Sequence, residues 1–154
     1  RSTLFPYTTL FRSGRREVAR ELARAIDAGE ADVYVVNFAN CDMVGHTGII
    51  PAAVAAVEAV DAGVGEVLAA LERRGGVALL TADHGNADKM IADDGTPFTA
   101  HTTALVPLSL IDYSGARLGL VEERGALCNL APTLLDLIGI GIPVEMDAKS
   151  LIAR

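Results

Sequence analysis

GVALLTADHGNADKM (residues 76–90) runs from unbroken apolar sequence into dense polar chemistry within a few positions. Residues 76–82 are apolar and partly β-branched, which reads as a buried strand. The strand ends on Asp83 and His84, followed by Gly85, where a chain turns sharply. Neighbouring residues on a straight strand point to opposite faces, but at a bend both can turn toward one centre. This stretch decides the fold. A strand apolar throughout is covered on both faces, and such strands belong to parallel sheets of α/β proteins, which bind ligands beyond their carboxyl ends.

The flanking sequence supports that reading. From Arg15, the apolar residues Val18, Leu22 and Ile26 recur every four positions, predicting a helix that stops at Gly29. DVYVVNF (32–38) reads as a strand. Pro51 opens a helix over 51–74, with an apolar stripe of Val57, Val60, Val64, Val67, Leu68 and Leu71. Gly63 and Gly65 each weaken that helix by about 1 kcal/mol relative to alanine. ALVPLSLID (104–112) reads as a third strand, with Pro107 marking an edge or a strand start. ARLGLV (116–121) gives a short fourth strand, and APTLLDLIGI (131–140) a helix with Pro132 in its first turn. Alternating strands and helices predict an α/β fold with a largely parallel sheet. Three or four strands make only a small one.

RSTLFPYTTLFRS (1–13) is unlike the rest of the chain: it repeats Thr-Leu-Phe and carries Arg-Ser at both ends. It is set aside as a non-native leader, and the fold is assigned to residues 14–154. The 154 residues suit one domain or part of one. At 51% hydrophobic residues, the chain calls for a large core or an apolar interface. No apolar run reaches the roughly 18 residues of a membrane span, and the start lacks the pattern of a secretory signal. A net charge of −7 disfavours nucleic acid and suits divalent cations. Cys41 and Cys128 form no CxxC pair, and a reduced, cytoplasmic setting is the simpler reading.

The chain has three histidines, and all fall in polar loops or after strands: His46 in NCDMVGHTG (40–48), His84 in TADHGNAD (81–88) and His101 in TPFTAHTT (96–103). Asp42 and His46 are four apart, so a helical turn would place them on one face. Carboxylate oxygen and imidazole nitrogen suit Mn²⁺ or Zn²⁺. The plain alternatives are Asp42 as a helix N-cap with His46 on the surface, Asp83–His84 as a polar strand cap, and His101 as a structural or surface histidine. Asn37 and Asn40 either orient ligands or shape the turn. Cys41 reads as a packed, inert thiol. Asp42, His46, Asp83, His84 and His101 together exceed the three or four protein ligands of one metal. They point to two metals, the arrangement that clamps attacking and leaving oxygens in phosphoryl transfer.

With NFANCDMVGHTG (37–48), TADHGNADKM (81–90), TAHTT (99–103), VPLSLID (106–112) and APTLLDLIGI (131–140) in this order, the chain from Arg15 to Ile152 resembles the C-terminal part of cofactor-independent phosphoglycerate mutase, in the alkaline phosphatase superfamily. The resemblance implies a three-layer α/β/α sandwich, here incomplete. It implies interconversion of 3-phosphoglycerate and 2-phosphoglycerate in glycolysis through a phosphoserine. It also implies two Mn²⁺ ions, with other divalent metals in some members. Asp42, His46 and His101 would bind one metal, and Asp83 and His84 the other. The serine nucleophile, an aspartate ligand and the substrate-binding domain would come from outside this chain. The chain alone is therefore expected to be inactive, and the full-length enzyme to be a monomer. The competing readings are another phosphomutase or phosphatase of the superfamily, a catalytically dead metal-binding piece, and an inert, aggregation-prone one. Two positions depart from the family pattern: Phe98 stands where histidine is frequent, and Ala148 where glycine is common.

Overall fold

A computed structural model of the chain describes residues 2–4, 14–121 and 124–153. Ser2–Leu4 forms strand β1, followed by helix α1 (Gly14–Ala28), strand β2 (Val33–Val35), helix α2 (Asn40–Gly45) and helix α3 (Ile50–Arg74). Then come strands β3 (Val77–Thr81), β4 (Leu108–Asp112) and β5 (Gly119–Leu120). A 3₁₀ turn (Leu127–Asn129) leads into helix α4 (Leu130–Leu137), and strand β6 (Ile152–Ala153) closes the order. The chain is thus mixed α/β, with its helices near their expected positions. No described helix is long and apolar enough to cross a membrane.

The sheet departs from expectation. The described strands form three two-stranded sheets, not one parallel sheet covered on both faces. Only β1 and β2 run parallel, pairing Ser2 with Val33 and Leu4 with Val35. β3 and β4 are antiparallel, from Val77 opposite Asp112 to Thr81 opposite Leu108. The connection explains this. A parallel return needs a crossover, usually a helix, whereas residues 82–107 contain no helix and are spent on site loops. β3 is consequently half-buried, and Leu80 is 42% exposed. The third strand begins at Leu108, just past Pro107, whose missing N–H cannot join a ladder. Apart from β1, the residues assigned to a leader fall outside those described.

The core lies between α1 and α3. Leu22, Ala23, Ile26 and Ala70 are buried together, with Tyr34, Val36, Val67 and Leu71 packed against them. The expected stripe of α3 faces inward from Val60 to Leu71, but Val57 is 50% exposed, and the buried positions are Ala53, Ala56 and Ala70. Small residues let the two helices approach closely. A Cβ on Gly63 would already touch the Ala19 methyl at 3.5 Å, so this glycine serves packing. α3 ends on Gly75, whose left-handed φ of 63° lets the last carbonyls of the helix be capped. Arg73 then ties α3 to α1 through a two-pronged bond to Asp27, at 3.0 and 2.8 Å.

Candidate metal centre

α2 is short because its job is local. Its N-cap is Ala39, with no side-chain cap, so Asp42 is free of a capping role and lies in the first turn. His46 is the C-cap residue, one turn on, and the two share a face as their spacing predicts. His46 Nε2 lies 3.2 Å from Asp42 Oδ1. The ring is held from behind: His46 Nδ1 donates to the carbonyl of Thr99 at 2.7 Å. A carbonyl only accepts, so Nδ1 carries a proton and Nε2 is the nitrogen turned toward Asp42.

His101 arrives from the segment 82–107. Thr102 N–H donates to the Gly85 carbonyl at 2.8 Å, and the Thr102 hydroxyl donates to the Asp88 carboxylate at 2.9 and 2.8 Å. Gly85 lies so close under this clamp that a Cβ there would stand 2.7 Å from Asp88 Oδ1. The clamp sets His101 against the TADHG loop. Its Nε2 is 3.1 Å from Asp42 Oδ1 and 3.2 Å from His46 Nε2. Asp42, His46 and His101 therefore offer three ligand atoms to one point. Donors bound at about 2.0–2.2 Å around one ion stand roughly 3 Å apart, so this set fits a divalent cation. Two imidazole nitrogens and one carboxylate oxygen suit Zn²⁺, Mn²⁺ or Co²⁺.

Asp83 and His84 lie beside this cluster. The His84 ring stacks on His101 at 3.8 Å, with planes 18° apart. His84 Nε2 is 3.7 Å from Asp83 Oδ1, so the bend after β3 does turn both donors to one side. It is also 3.9 Å from Asp42 Oδ1. Asp83 is 65% exposed and stands at the open rim. All five residues singled out in the sequence thus occupy one neighbourhood, three of them convergent.

Burial alone would raise the Asp42 pKa. The Asn86 amide and the imidazoles of His46, His101 and His84 outweigh it and hold the carboxyl below its ordinary range. Burial pushes the Cys41 thiol up, consistent with an unreactive packed cysteine. The amide that touches a candidate ligand is Asn86, which donates to Asp42 Oδ1 at 2.8 Å. Asn40, read from the sequence as a ligand-orienting residue, has a buried Nδ2 without a partner among the described residues. Asn86 follows His84 by two positions, and that proximity is its only signal in the sequence.

Comparison with known proteins places this geometry. The profile of the metalloenzyme superfamily matches residues 7–142. The chain is 52% identical over 139 residues to 2,3-bisphosphoglycerate-independent phosphoglycerate mutase 1 of Methanosarcina acetivorans, covering 90% of this chain and 26% of that protein. It is 50% identical over 137 residues to the corresponding mutase of Symbiobacterium thermophilum, again 26% of the relative's length. Among solved structures, the phosphoglycerate mutase of Leishmania mexicana at low cobalt concentration superposes with a TM-score of 0.81 at 30% identity, over 91% of this chain and 28% of that one. An Asp/His cluster of metal-binding spacing and a superfamily match over most of the sequence agree: the chain belongs to the metalloenzyme superfamily and is homologous to one segment of the 2,3-bisphosphoglycerate-independent phosphoglycerate mutases.

Proposed function

We propose that this chain is the metal-binding segment of a phosphoglycerate mutase that interconverts 3-phosphoglycerate and 2-phosphoglycerate through a phosphoserine. Asp42, His46 and His101 hold one divalent cation, Mn²⁺ by the resemblance, and Asp83 and His84 contribute to a second. The observation that carries this reading is the convergence of three ligand atoms within 3.1–3.2 Å of one another. Bound there, a divalent cation supplies positive charge for phosphate oxygens. The protein groups do the rest of the local work. Thr99 orients the His46 ring, the Asp88–Thr102 clamp fixes His101, and the exposed rim at Asp83 leaves an approach for a phosphorylated substrate.

The nucleophilic serine and the groups that bind the glycerate are proposed to come from outside these residues. The described serines outside β1 support this: Ser114 and Ser150 donate to Asp112 and Asp136, and Ser109 lies within β4. The 154-residue chain therefore binds metal without turning over substrate. Calorimetric titration of the chain with Mn²⁺ tests the first half. Saturable binding that His46→Ala abolishes is expected, and a chain that binds no Mn²⁺ counts against the metal centre. Turnover of 3-phosphoglycerate by the Mn²⁺-loaded chain would overturn the second half.

A further inference from the structure

Asn86 is 5% exposed, and its amide is not explained by the ligand set. Nδ2 donates to Asp42 Oδ1 at 2.8 Å, and lies 3.4 Å from both the Asp42 carbonyl oxygen and His46 Nε2. The opposite amide orientation would set Oδ1 against the Asp42 carboxylate, two acceptors face to face, so the hydrogen bonds fix which atom points where. Oδ1 is then left buried with no partner among the described residues. A buried polar atom without a partner is destabilising, so something other than stability favours an amide at this position.

The neighbour of that orphaned oxygen is Gly45, buried in the last turn of α2. A Cβ on Gly45 would overlap Asn86 Oδ1 and stand 2.8 Å from its Cγ. Gly45 thus forms a notch between Asp42 and His46, and the amide of Asn86 fills it. From the notch, one side chain reaches the carboxylate of Asp42 and Nε2 of His46 together. Leucine would fill the same space without leaving a polar atom buried, but it could orient neither ligand.

We infer that Asn86, seated in the Gly45 notch, is a positioning residue that sets Asp42 and His46 toward a common cation. The inference rests on the proposed metal centre, since it concerns the same site. Its logic is that of the outer partners of metal ligands, whose loss typically weakens metal affinity 10–100-fold. Gly45 acts through Asn86: beyond its chain neighbours, the atoms a methyl at position 45 meets first are those of the amide.

The test is a double-mutant cycle in the full 154-residue chain, read as the Mn²⁺ dissociation constant of the folded protein, with unfolding by urea followed in parallel. Asn86→Ala and Gly45→Ala are each expected to weaken Mn²⁺ binding 10–100-fold. The double variant is expected to bind no more weakly than Asn86→Ala, because the methyl then has no amide to displace. Asn86→Leu is expected to bind as weakly as Asn86→Ala while unfolding at no less urea than the parent chain, a separation a purely structural residue does not show. Unchanged Mn²⁺ affinity in the folded variants, additive losses in the double variant, or failure of every single variant to fold overturns the positioning role and leaves the metal centre standing. A parent chain that binds no Mn²⁺ overturns both.

Discussion

His46 Nδ1 donates to the carbonyl oxygen of Thr99 at 2.7 Å, joining two loops 53 residues apart in sequence. The bond keeps a proton on Nδ1, because a carbonyl offers no proton in return. Nε2 is thereby turned toward Asp42 Oδ1 before any cation arrives. Nitrogen-15 spectra of the labelled chain are expected to show His46 protonated at Nδ1. A spectrum with Nδ1 bare would contradict this arrangement.

The five candidate ligands are not equivalent in this chain, and the difference is measurable. His101 Nε2 lies 3.1 Å from Asp42 Oδ1, within the convergent set, while Asp83 stands at the rim with its side chain 65% exposed. His101→Ala removes one of three donors and is expected to weaken Mn²⁺ binding by at least 10-fold. Asp83→Asn is expected to change binding at this three-donor site less than about 3-fold, since a rim charge is well screened. Equal losses in the two variants, measured by calorimetry, would mean that the donors form one shared site.

The candidate ligands are legible in the sequence and their supports are not. Asp42 and His46 share a face because they are four apart, and α2 delivers them so. Asp83 and His84 sit at the end of β3 because an apolar run followed by glycine is a strand followed by a bend. His101 has no such local signal. Its place depends on Thr102 meeting Gly85 and Asp88, contacts between segments whose pairing no periodicity encodes. The sheet departs from its sequence reading for the same reason. Val77–Leu80 has the composition of a strand covered on both faces, but direction and partners follow from the connection through 82–107. Composition reports what a strand would bury, and here Leu80 remains 42% exposed.

The core between α1 and α3 is narrow, so single residues weigh heavily. Leu22 is 1% exposed and packs with Ile26 and Ala70. Leu22→Ala opens a cavity that backbone collapse fills only in part, with an expected loss of about 2–5 kcal/mol. Urea unfolding of the variant checks it. A loss below about 1 kcal/mol would show that this helix pair is not the stabilising core.

Thr133 anchors the C-terminal strand. It is fully buried, its hydroxyl donates to the Asn129 carbonyl at 2.6 Å, and it accepts from Leu151 N–H at 3.0 Å. Valine keeps the shape but removes the acceptor, leaving a buried N–H unpaired. Thr133→Val is expected to destabilise by about 1–3 kcal/mol. Amide exchange should show that it acts locally: Leu151 and its neighbours in the β5–β6 pair exchange faster, while α1 and α3 are unaffected. Uniform acceleration across the chain would refute the local anchor.

Acid should weaken the α1–α3 junction through Asp27. The Arg73 guanidinium donates to both of its oxygens, and this holds the Asp27 pKa below the 3.8 of an ordinary aspartate. The folded state therefore binds that proton less readily than the unfolded one. The junction's contribution is complete above the unfolded value, near pH 4, and is lost as pH falls through the lower folded value. Glu21, beside Arg24, shifts in the same direction, as does Asp112, which accepts from Ser114 and Leu118 N–H. The urea midpoint is expected to hold steady from pH 7 to pH 5 and to fall between pH 4 and pH 2. Asp27→Asn removes one titrating group, so its midpoint is lower at pH 7 and its acid-induced drop is smaller. A variant whose midpoint falls as steeply as that of the parent chain would show that the Asp27–Arg73 pair, exposed as it is, contributes nothing to the junction.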